Sequence, residues 1–501
     1  MTRDIFDKER LSPALDSFLR ETNPWWEGKP AKRAPVYRRA VLDRVRRRLE
    51  NGIAPVTVLR GPRRVGKTTI QEQLIEYLLQ EKGVNPARIF RIQFDDIPSL
   101  KHVEDPILAL CRWYQNRILG RTFNEAAQSD GVSFLFFDEA QNLDSWAEQV
   151  KALVDLHEAR VLVTGSSALR IGLGRDSLAG RISTLDLGPL YLREIAGLKG
   201  YGDIPSLLPD NGLALLLDIE FWRGAMTLGL ENKELRDLAF ADFSERGGYP
   251  ESQIDLHSDW ATIAAHLNET VIKRAIQHDL RLGDRGRKRD AHLLEEVFRS
   301  ACRRAGQSPG PEYFEHEIRI ALRSDYTWQK IRNYLEFLDS AMLLRLVAPM
   351  EIRCRKKRGN YKICLCDHAL RASWLQEVIP LYPKKLMQHP HLSDLAGFIA
   401  ESVAGFCLGT IHGLDLSYFP TRGVKAPEVD FVLTIGEKRI PIEIKYQRTI
   451  DPQRDTQALR SFLDSPLYNA PFGVLVTMLD DVEIPDPRIV ALPLSSLLLI
   501  V

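Results

Sequence analysis

The chain has 501 residues, of which 44% are apolar and 27% charged. These values exclude a mostly disordered, collagen-like or coiled-coil protein and are compatible with about three domains. The 68 basic and 67 acidic side chains give a net charge of +1, which excludes a uniformly basic coat protein of nucleic acid but not local basic patches. Such patches are present, since segments 38–48, 281–289 and 352–362 carry +5, +4 and +6.

The cysteine content and the apolar runs predict a cytoplasmic protein. Six cysteines are too few for a disulfide framework, and residues 1–18 lack the apolar segment of a secretory signal. The longest apolar stretch, 488–501, is interrupted by Pro493 and predicts a buried strand rather than a membrane span. We therefore expect no membrane association.

The elements predicted in the first half of the chain alternate between strand and helix. A polar and aromatic lead-in at 1–35 is followed by a basic amphipathic helix at 36–50. Apolar runs typical of β-strands follow at 56–59, 88–94, 132–137 and 160–164. Helical patterns separate them, which favours an α/β fold with a parallel sheet covered on both faces.

The second half begins with helical patterns. Residues 200–250 end at a Gly-Gly-Tyr-Pro breaker, and 255–345 remain helical. A basic hairpin-like stretch follows at 345–366, and after a proline-containing segment the last ~110 residues again have an α/β pattern. The sequence thus predicts a helical middle between two α/β ends.

A glycine-rich motif joins the first predicted strand to the next helix. Residues 61–69 are GPRRVGKTT, which fits G-x-x-x-x-G-K-[ST] in the required strand–turn–helix context. Lys67 would reach the β- and γ-phosphates and Thr68 would ligate Mg²⁺, while backbone N–H groups hold the phosphates. The alternative is a glycine turn with a chance lysine. The predicted ATP-binding residues are Gly61, Pro62, Arg63, Arg64, Val65, Gly66, Lys67, Thr68 and Thr69.

Two acids follow the apolar run 134–137. Because α/β sheets bind ligands at the C-terminal ends of their strands, we expect Asp138 to hold Mg²⁺ through water. Glu139 would orient and deprotonate the attacking water. The alternative is a strand that simply ends in solvated acids.

Two further residues are candidates for the hydrolysis of ATP. Ser166, with Ser167 as second choice, follows the strand at 160–164 and would contact the γ-phosphate or the attacking water; the alternative is a plain turn. Arg181 would stabilise the charge of the transition state in its own subunit or in a neighbouring one. For Arg181 the alternative is a solvated surface arginine.

The middle region carries candidate DNA contacts. A helix that opens at 326–335 turns polar side chains away from its apolar face, and the basic segment that follows predicts a β-wing on a phosphate backbone. The loop at 281–289 could bind DNA non-specifically. The alternative is a structural winged helix with a solvated wing. The candidates are Gln329, Lys330, Arg332 and Asn333 on the helix and Arg355, Lys356, Lys357 and Arg358 on the wing.

Acidic residues and a lysine recur around a predicted hairpin near the end of the chain. Asp430 lies on its first strand, and Glu443 and Lys445 share one face of its second. A helix upstream can supply Glu401. The carboxylates would hold Mg²⁺ or Mn²⁺, which activates water, and Lys445 would orient that water. The alternative is a salt-bridged hairpin or an inactive module.

Taken together, these motifs resemble the AAA-type ATPases whose C-terminal part is the domain of unknown function DUF4143. The Asp430–Lys445 hairpin is also similar to the PD-(D/E)xK nuclease core, with Val429 in place of the usual proline. The matching segments are GPRRVGKTT (61–69), FFDEAQNLDSW (136–146), VTGSSA (163–168), LAGR with LGPLYLREI (178–195), GGYPE (247–251) and EVDFVL with PIEIK (428–445).

The resemblance implies a division of the chain into functional parts. It implies a RecA/AAA-like ATPase core, a helical lid, a winged-helix region and a restriction-endonuclease-like end. The expected bounds are 1–35 for the lead-in, 36–200 for the core, 201–254 for the lid, 255–378 for the helical and winged-helix region and 379–501 for the nuclease-like domain.

We therefore expect an ATPase that uses ATP and Mg²⁺, binds DNA and carries a metal-dependent nuclease-like domain. Recombination, repair or defence against foreign DNA would suit it, with branched DNA as one substrate. The alternative is a nucleotide-dependent switch or scaffold whose last domain binds DNA or a protein without cutting. The motifs are compatible with a homo-oligomer.

Overall fold

The computed structural model describes residues 6–7, 10–97, 100, 103–166, 178–208, 212–254, 258–277, 290–351, 359–420 and 428–501. The chain forms two compact units, Met1–Leu187 and Gly188–Val501. Several predicted sites lie outside the described residues: the loop 281–289, Ser167, and the wing residues Arg355, Lys356, Lys357 and Arg358.

The first unit is built on a five-stranded, all-parallel sheet. A short antiparallel pair, β1 (Phe6–Asp7) and β2 (Arg10–Leu11), precedes it. The strands of the sheet are β3 (Val56–Arg60), β4 (Ile89–Gln93), β5 (Ser133–Asp138), β6 (Ala159–Gly165) and β7 (Ile182–Asp186), in the order β4-β5-β6-β3-β7. The predicted α/β fold with a parallel sheet is confirmed.

The sequence missed strand β7, because its residues do not form an apolar run. Four of its five side chains are only half-buried, as expected of an edge strand. All six residues of β5 are buried instead, since helices cover both faces of the sheet there. The helices are α1 (Pro13–Thr22), α2 (Val41–Asn51), α3 (Lys67–Glu76), α4 (Pro106–Tyr114), α5 (Phe123–Ser129) and α6 (Trp146–Leu156).

The polar and aromatic lead-in packs against strand β4. The indole N–H groups of Trp25 and Trp26 both donate to the carbonyl oxygen of Ile89, at 3.0 and 2.8 Å. Asn23 exchanges two hydrogen bonds with the backbone of Arg91, at 2.7 and 2.9 Å. The lead-in therefore occupies backbone hydrogen-bonding groups on the outer edge of β4, which protects this edge from pairing with another strand.

The second unit begins with helices. Three of them, α13 (Ala291–Arg303), α14 (Pro311–Leu322) and α15 (Trp328–Ser340), contact one another and precede a β-hairpin. The winged helix stays a prediction. The helices of this unit are α7 (Leu192–Leu198), α8 (Ile219–Glu231), α9 (Lys233–Arg246), α10 (Pro250–Ile254), α11 (Trp260–Leu267), α12 (Lys273–Gln277), α13 (Ala291–Arg303), α14 (Pro311–Leu322), α15 (Trp328–Ser340), α16 (His368–Leu375), α17 (Pro383–Leu386), α18 (Ser393–Gly409), α19 (Gln457–Leu463) and α20 (Leu494–Leu497).

A seven-stranded mixed sheet completes this unit. Its strands are β8 (Leu344–Pro349), β9 (Lys362–Leu365), β10 (Asp415–Phe419), β11 (Val429–Ile435), β12 (Lys438–Lys445), β13 (Gly473–Thr477) and β14 (Ile489–Pro493), in the order β14-β13-β12-β11-β10-β8-β9. The predicted C-terminal strand ends at Pro493, after which the chain turns into α20 rather than continuing as a strand.

The hairpin β8–β9 is part of this sheet. Strands β8 and β9 are antiparallel, and β8 pairs in parallel with β10 through Ala348 and Pro349. The sheet therefore continues across the boundary that the sequence predicts between residues 378 and 379. This continuity brings β9 to the strands that carry the predicted carboxylates.

Helix α18 packs closely on the same sheet. The stretch Pro390–Gly409 is long and apolar enough to cross a membrane by length and composition, but 61% of its apolar window is buried in the structure. A Cβ atom at Gly405 would lie 2.4 Å from the Phe431 ring, so only glycine permits this approach. We interpret α18 as a core helix, which presents Glu401, one turn before Gly405, to strand β11.

The Gly-Gly-Tyr-Pro turn after α9 is fixed by a buried aspartate. Asp367 accepts hydrogen bonds from the backbone N–H of Gly248 at 2.6 Å and, as N-cap of α16, from that of Ala369 at 2.8 Å. Gly247 has φ +72° and ψ −163°, and a Cβ there would lie 2.2 Å from Asp367 Oδ1. The turn and the helix cap therefore share one carboxylate.

Replacing Gly247 with alanine should destabilise the protein by about 3 kcal/mol or more, because backbone strain and overpacking each cost about 1–3 kcal/mol. Gly200→Ala is the matched control, since Gly200 has φ +71° but no atom within 4 Å of its Cβ position. It should lose only about 1 kcal/mol. Denaturant unfolding of both variants measures the difference; equal losses would contradict the predicted clash.

Candidate functional site

The glycine-rich loop lies between β3 and α3, at the carboxyl end of the sheet. Gly66 caps α3 with φ +96°, which L side chains rarely adopt. Lys67 follows as a buried residue, and its Nζ donates to the carbonyl oxygens of Gly61 and Pro62 at 3.0 and 2.7 Å. The lysine charge is thus held within the curve of the loop, next to the N-terminus of α3.

A buried arginine that the sequence placed in a basic helix supports this loop. Helix α2 begins only at Val41, so Arg39 lies in the segment before it. Its Nη1 donates to the carbonyl oxygen of Val65 at 2.9 Å, and the side chain is 7% exposed. Arginine runs usually mark solvated helix faces, so no local signal separates Arg39 from its neighbours.

Asp138 lies at the end of β5 beside the loop. Its two carboxylate oxygens accept hydrogen bonds from Thr68 Oγ1, at 2.9 Å, and from Thr164 Oγ1. Burial, and then the neighbouring charge of Glu139, raise the pKa of Asp138. A threonine hydroxyl and a carboxylate are hard oxygen donors, so Thr68 and Asp138 fit Mg²⁺ and its bound waters.

Glu139 adopts φ +53°, a conformation that is strained for a residue with a side chain. Its Oε2 accepts hydrogen bonds from Ser166 Oγ at 3.0 Å and from Gln141 Nε2 at 2.5 Å. Strand β6 lies between β3 and β5, which is why Ser166 reaches Glu139. Gln141 was not among the predicted residues, and its place two residues after Glu139 is the only signal for it.

Arg181 lies far from these groups. Its carbonyl oxygen accepts from the N–H of Val56, the first residue of β3, and its guanidinium pairs with Asp155. The glycine-rich loop follows the other end of β3, a five-residue strand that spans about 16 Å. The structure does not bring Arg181 to the loop of its own chain. A role of Arg181 in hydrolysis, in its own subunit or in a neighbouring one, stays a prediction.

The predicted C-terminal carboxylates come together in the second unit. Phe431 of β11 pairs with Ile442 of β12, so Asp430 lies beside Glu443. Asp430 Oδ2 accepts from the N–H of Ile444 at 2.9 Å. Glu443 Oε1 accepts from Lys445 Nζ at 2.5 Å, while Glu443 Oε2 is buried and lacks a hydrogen-bond partner among the described residues.

A second lysine, Lys362 at the end of the basic segment 352–362, is buried in this cluster, although the sequence predicts it as part of the wing. Lys362 Nζ lies 2.8 Å from Asp430 Oδ1, 3.1 Å from Glu401 Oε2 and 3.5 Å from Glu428 Oε1. Its side chain is 2% exposed. The pattern of basic residues at 352–362 gave no sign that its last member points into the protein, because only the long-range pairing of β8 with β10 determines this.

Burial and mutual repulsion shift the ionisation of the carboxylates. Burial, and then the charge of Asp430, raise the pKa of Glu443 to about 8 and that of Glu401 well above its ordinary value. Burial would also raise the pKa of Asp430, but the Lys362 ammonium, the N–H of Ile444 and the charge of Lys445 together lower that pKa. Asp430 is therefore the carboxylate that holds its negative charge most firmly.

These groups line a cleft of about 630 Å³. In the part of the chain that the structure describes, no group of three or more His, Cys, Asp or Glu side chains is arranged to hold a metal ion. Asp430 and Glu443 nonetheless present oxygen donors to the cleft, and the unpartnered Oε2 of Glu443 fits a hard cation. The lining includes Arg304, Arg454, Glu401, Glu428, Asp430, Glu443 and Lys445.

The predicted DNA-contacting helix is α15, and its polar residues lie outside the core. Gln329 donates to Asn333 at 2.9 Å, and Lys330 lies 4.6 Å from the centre of the Tyr326 ring. Arg332 pairs with Glu336 at 2.9 Å. The buried residues of α15 are Ile331, Tyr334, Leu335, Phe337 and Leu338.

Comparison with known proteins places the chain in a family. Residues 54–196 match the model of an AAA domain, 238–378 that of a domain of unknown function (DUF8612) and 397–497 that of DUF4143. The uncharacterized protein Rv2008c of Mycobacterium tuberculosis is 31% identical over 439 residues, which cover 85% of this chain and 77% of that protein. The chain belongs to the same family, as a P-loop ATPase of the AAA type with a DUF4143 C-terminal region.

More distant similarities add little to this assignment. An uncharacterized protein of Haemophilus influenzae is 22% identical over 320 residues, 63% of this chain and 68% of that protein. Among solved structures, the Hsp104–ADP complex of S. cerevisiae aligns with 64% of this chain at 14% identity and a TM-score of 0.30. This chain spans 41% of the length of Hsp104 in that alignment.

Proposed function

We propose that this protein hydrolyses ATP in order to act on DNA, and that its C-terminal domain cleaves phosphodiester bonds with the help of a divalent metal ion. The observation that supports cleavage is the meeting of Asp430, Glu443 and Lys445 in one cleft, with two arginines in its lining. Metal-dependent cleavage of a phosphate backbone uses both kinds of residue, since arginines bind the phosphates and carboxylates hold the metal ion. The observation that supports ATP hydrolysis is the glycine-rich loop at 61–69, which is of the AAA type.

In the ATPase site, the residues divide into three roles. Lys67 and the backbone N–H groups of 61–69 would bind the phosphates, and Thr68 with Asp138 would hold Mg²⁺. Glu139 would accept the proton of the attacking water, while Ser166 keeps its carboxylate in place. We further propose that the domains have the bounds expected from the sequence. The protein would be a cytoplasmic homo-oligomer, in which Arg181 acts at the nucleotide of a neighbouring subunit.

In the C-terminal site, Asp430 and Glu443 would hold Mg²⁺ or Mn²⁺, with Glu401 as a further ligand. When bound, the ion would activate water and offset charge on the phosphate. Lys445 would orient the water through its contact with Glu443. The water oxygen would bond to phosphorus and lose a proton to a carboxylate. The bond from phosphorus to the leaving oxygen would break, and that oxygen would take up a proton from solvent.

Cleavage assays test this proposal directly. The intact protein is incubated with plasmid, single-stranded and branched DNA in Mg²⁺ or Mn²⁺, with and without ATP, and with EDTA as control. We expect cleavage of at least one substrate that depends on the divalent ion. DNA that stays intact under every condition would favour the second candidate function.

That second candidate is a nucleotide-dependent switch or scaffold whose terminal domain binds DNA or a protein without cutting it. The observation in its favour is Lys362, since its ammonium already neutralises part of the carboxylate charge. Such a protein would bind DNA with an affinity that changes between ATP and ADP, and would leave the DNA whole.

Charge reversal in the predicted wing should weaken DNA binding and flatten its dependence on salt. For every phosphate that the variant no longer neutralises, the slope of log K against log salt should fall by about 0.9 on duplex DNA. The variant changes Arg355, Lys356, Lys357 and Arg358 to glutamate. Reversal of the exposed pair Lys32 and Arg33 is the control. If both variants keep the wild-type slope in fluorescence titrations, the wing does not contact phosphates.

A further inference from the structure

The ammonium group of Lys362 has the surroundings of a bound cation. It lies within 3.5 Å of three carboxylates and is enclosed by protein, with the ring centres of Phe431 and Tyr418 at 5.1 and 5.9 Å. Rings at these distances attract a cation through their π faces. A lysine with this set of contacts is a built part of the carboxylate cluster and not a surface residue that has folded inward.

The backbone of Lys362 is fixed as firmly as its side chain. The residue pairs with Val347 of β8, and on the other edge of β9 the next residue, Ile363, exchanges hydrogen bonds with Gly306 and Gln307, at 2.7 and 2.9 Å. Strand β9 is therefore hydrogen-bonded on both edges. Its register determines that the Lys362 side chain reaches Asp430 and Glu401.

The carboxylates around Lys362 and Lys445 outnumber these two ammonium groups. Glu401, Glu428 and Asp430 surround Lys362, Glu443 pairs with Lys445, and Arg304 and Arg454 also line the cleft. Lys362 contacts Asp430 and Glu401, which are two of the three carboxylates proposed as metal ligands. A metal ion bound to these ligands would have to share two carboxylates with the ammonium.

We propose that Lys362 is a resident cation of the carboxylate cluster that lines the cleft, and that it competes with a divalent metal ion for Asp430 and Glu401 and so sets how tightly the site binds metal. This inference rests on the metal site proposed above. In the absence of metal, Lys362 holds the carboxylates together. A metal ion binds after it draws one or both of these carboxylates away from the ammonium, against the repulsion between two cations.

Metal binding by the intact, nucleotide-free chain tests this competition. Lys362→Gln removes the charge and retains hydrogen-bond donors, whereas Lys362→Arg retains the charge. We expect Lys362→Gln to bind Mn²⁺ at least about tenfold more tightly than wild type, because the repulsion between cations is removed. Lys362→Arg should stay close to wild type. Electron paramagnetic resonance of free Mn²⁺ gives both affinities without any substrate.

The control variant is Asp430→Asn in the Lys362→Gln background, which should lose the tighter binding and so separate the cleft from the ATPase site. Equal Mn²⁺ affinity in wild type and Lys362→Gln, with loss in the Asp430 variant, would overturn the role of Lys362 but keep the metal site. No Mn²⁺ bound in the cleft by any variant would overturn both proposals.

Thermal unfolding keeps the test decisive if the neutral variant folds poorly. We expect Lys362→Gln to unfold at a lower temperature than wild type in EDTA, and Mn²⁺ to raise its Tm more than that of wild type. A variant that is unfolded in EDTA should recover a cooperative transition with Mn²⁺. A Tm that Mn²⁺ leaves unchanged in Lys362→Gln would overturn the competition.

Discussion

Replacing Glu139 with glutamine should slow ATP hydrolysis by about 10³-fold and leave ATP binding intact. General-base catalysis contributes about 10²–10⁴ to rate, and glutamine cannot accept the proton of the attacking water. The amide has the shape of the carboxylate, so the hydrogen bonds with Ser166 and Gln141 and the strained backbone of residue 139 should be retained. Fluorescent-nucleotide binding and phosphate release measure the two effects separately.

Two controls define what this result would mean. Lys67→Ala should lose tight nucleotide binding, because the Lys67 ammonium, which the loop holds, would bind the phosphates of the nucleotide. Gln141→Leu should retain binding, with a smaller loss of rate than Glu139→Gln. Normal turnover in Glu139→Gln would remove this glutamate from the mechanism, and loss of binding would mean that it supports the loop instead.

Replacing Asp430 with asparagine should reduce metal-dependent DNA cleavage to the level seen in EDTA. Asp430 is the carboxylate in the cleft that keeps its charge most firmly, because Lys362 lowers its pKa against the effect of burial. The asparagine oxygen can still accept from the N–H of Ile444, so the hairpin should remain folded. The remaining ligand, Glu443, is buried, and burial by itself raises its pKa, so one carboxylate of this kind is a poor site for the metal ion.

The matched control is Asp415→Asn, which changes an exposed aspartate on strand β10 of the same sheet. It should cleave as wild type does. Circular dichroism and Tm values of both variants show whether the fold is retained. Cleavage by Asp430→Asn at the wild-type rate would mean that the scissile phosphate binds elsewhere.

The local patterns in the sequence predicted those parts of the fold that local residues determine. Strands β3 to β6 are apolar runs, and the loop at 61–69 has its own signature, so both were found. Strand β7 was missed because an edge strand is half-buried and does not need an apolar run. Its position on the sheet edge explains why the sequence could not locate Arg181 relative to the nucleotide loop.

The charge of the C-terminal cleft depends on contacts between distant segments. Asp430 and Glu443 belong to one hairpin, which alternation of side chains predicted. Lys362 comes from a strand that joins the sheet through β8 and β10, about 70 residues earlier in the chain. A single sequence carries no local sign of this pairing, so the lysine was interpreted as one more basic residue of the wing.

The contact between Lys362 and the carboxylates depends on the register of strand β9. Side chains alternate between the faces of a strand, so a slip of β9 by one residue against β8 would turn Lys362 to the opposite face. Ile363 or Tyr361 would then point towards Asp430, and the cleft would lose a positive charge without any change in sequence. The pairing of Ile363 with Gly306 and Gln307 opposes such a slip. The loop between helices α13 and α14 contributes no acidic residue to the site. By fixing the register of β9, it nonetheless keeps the positive charge of Lys362 beside the carboxylates.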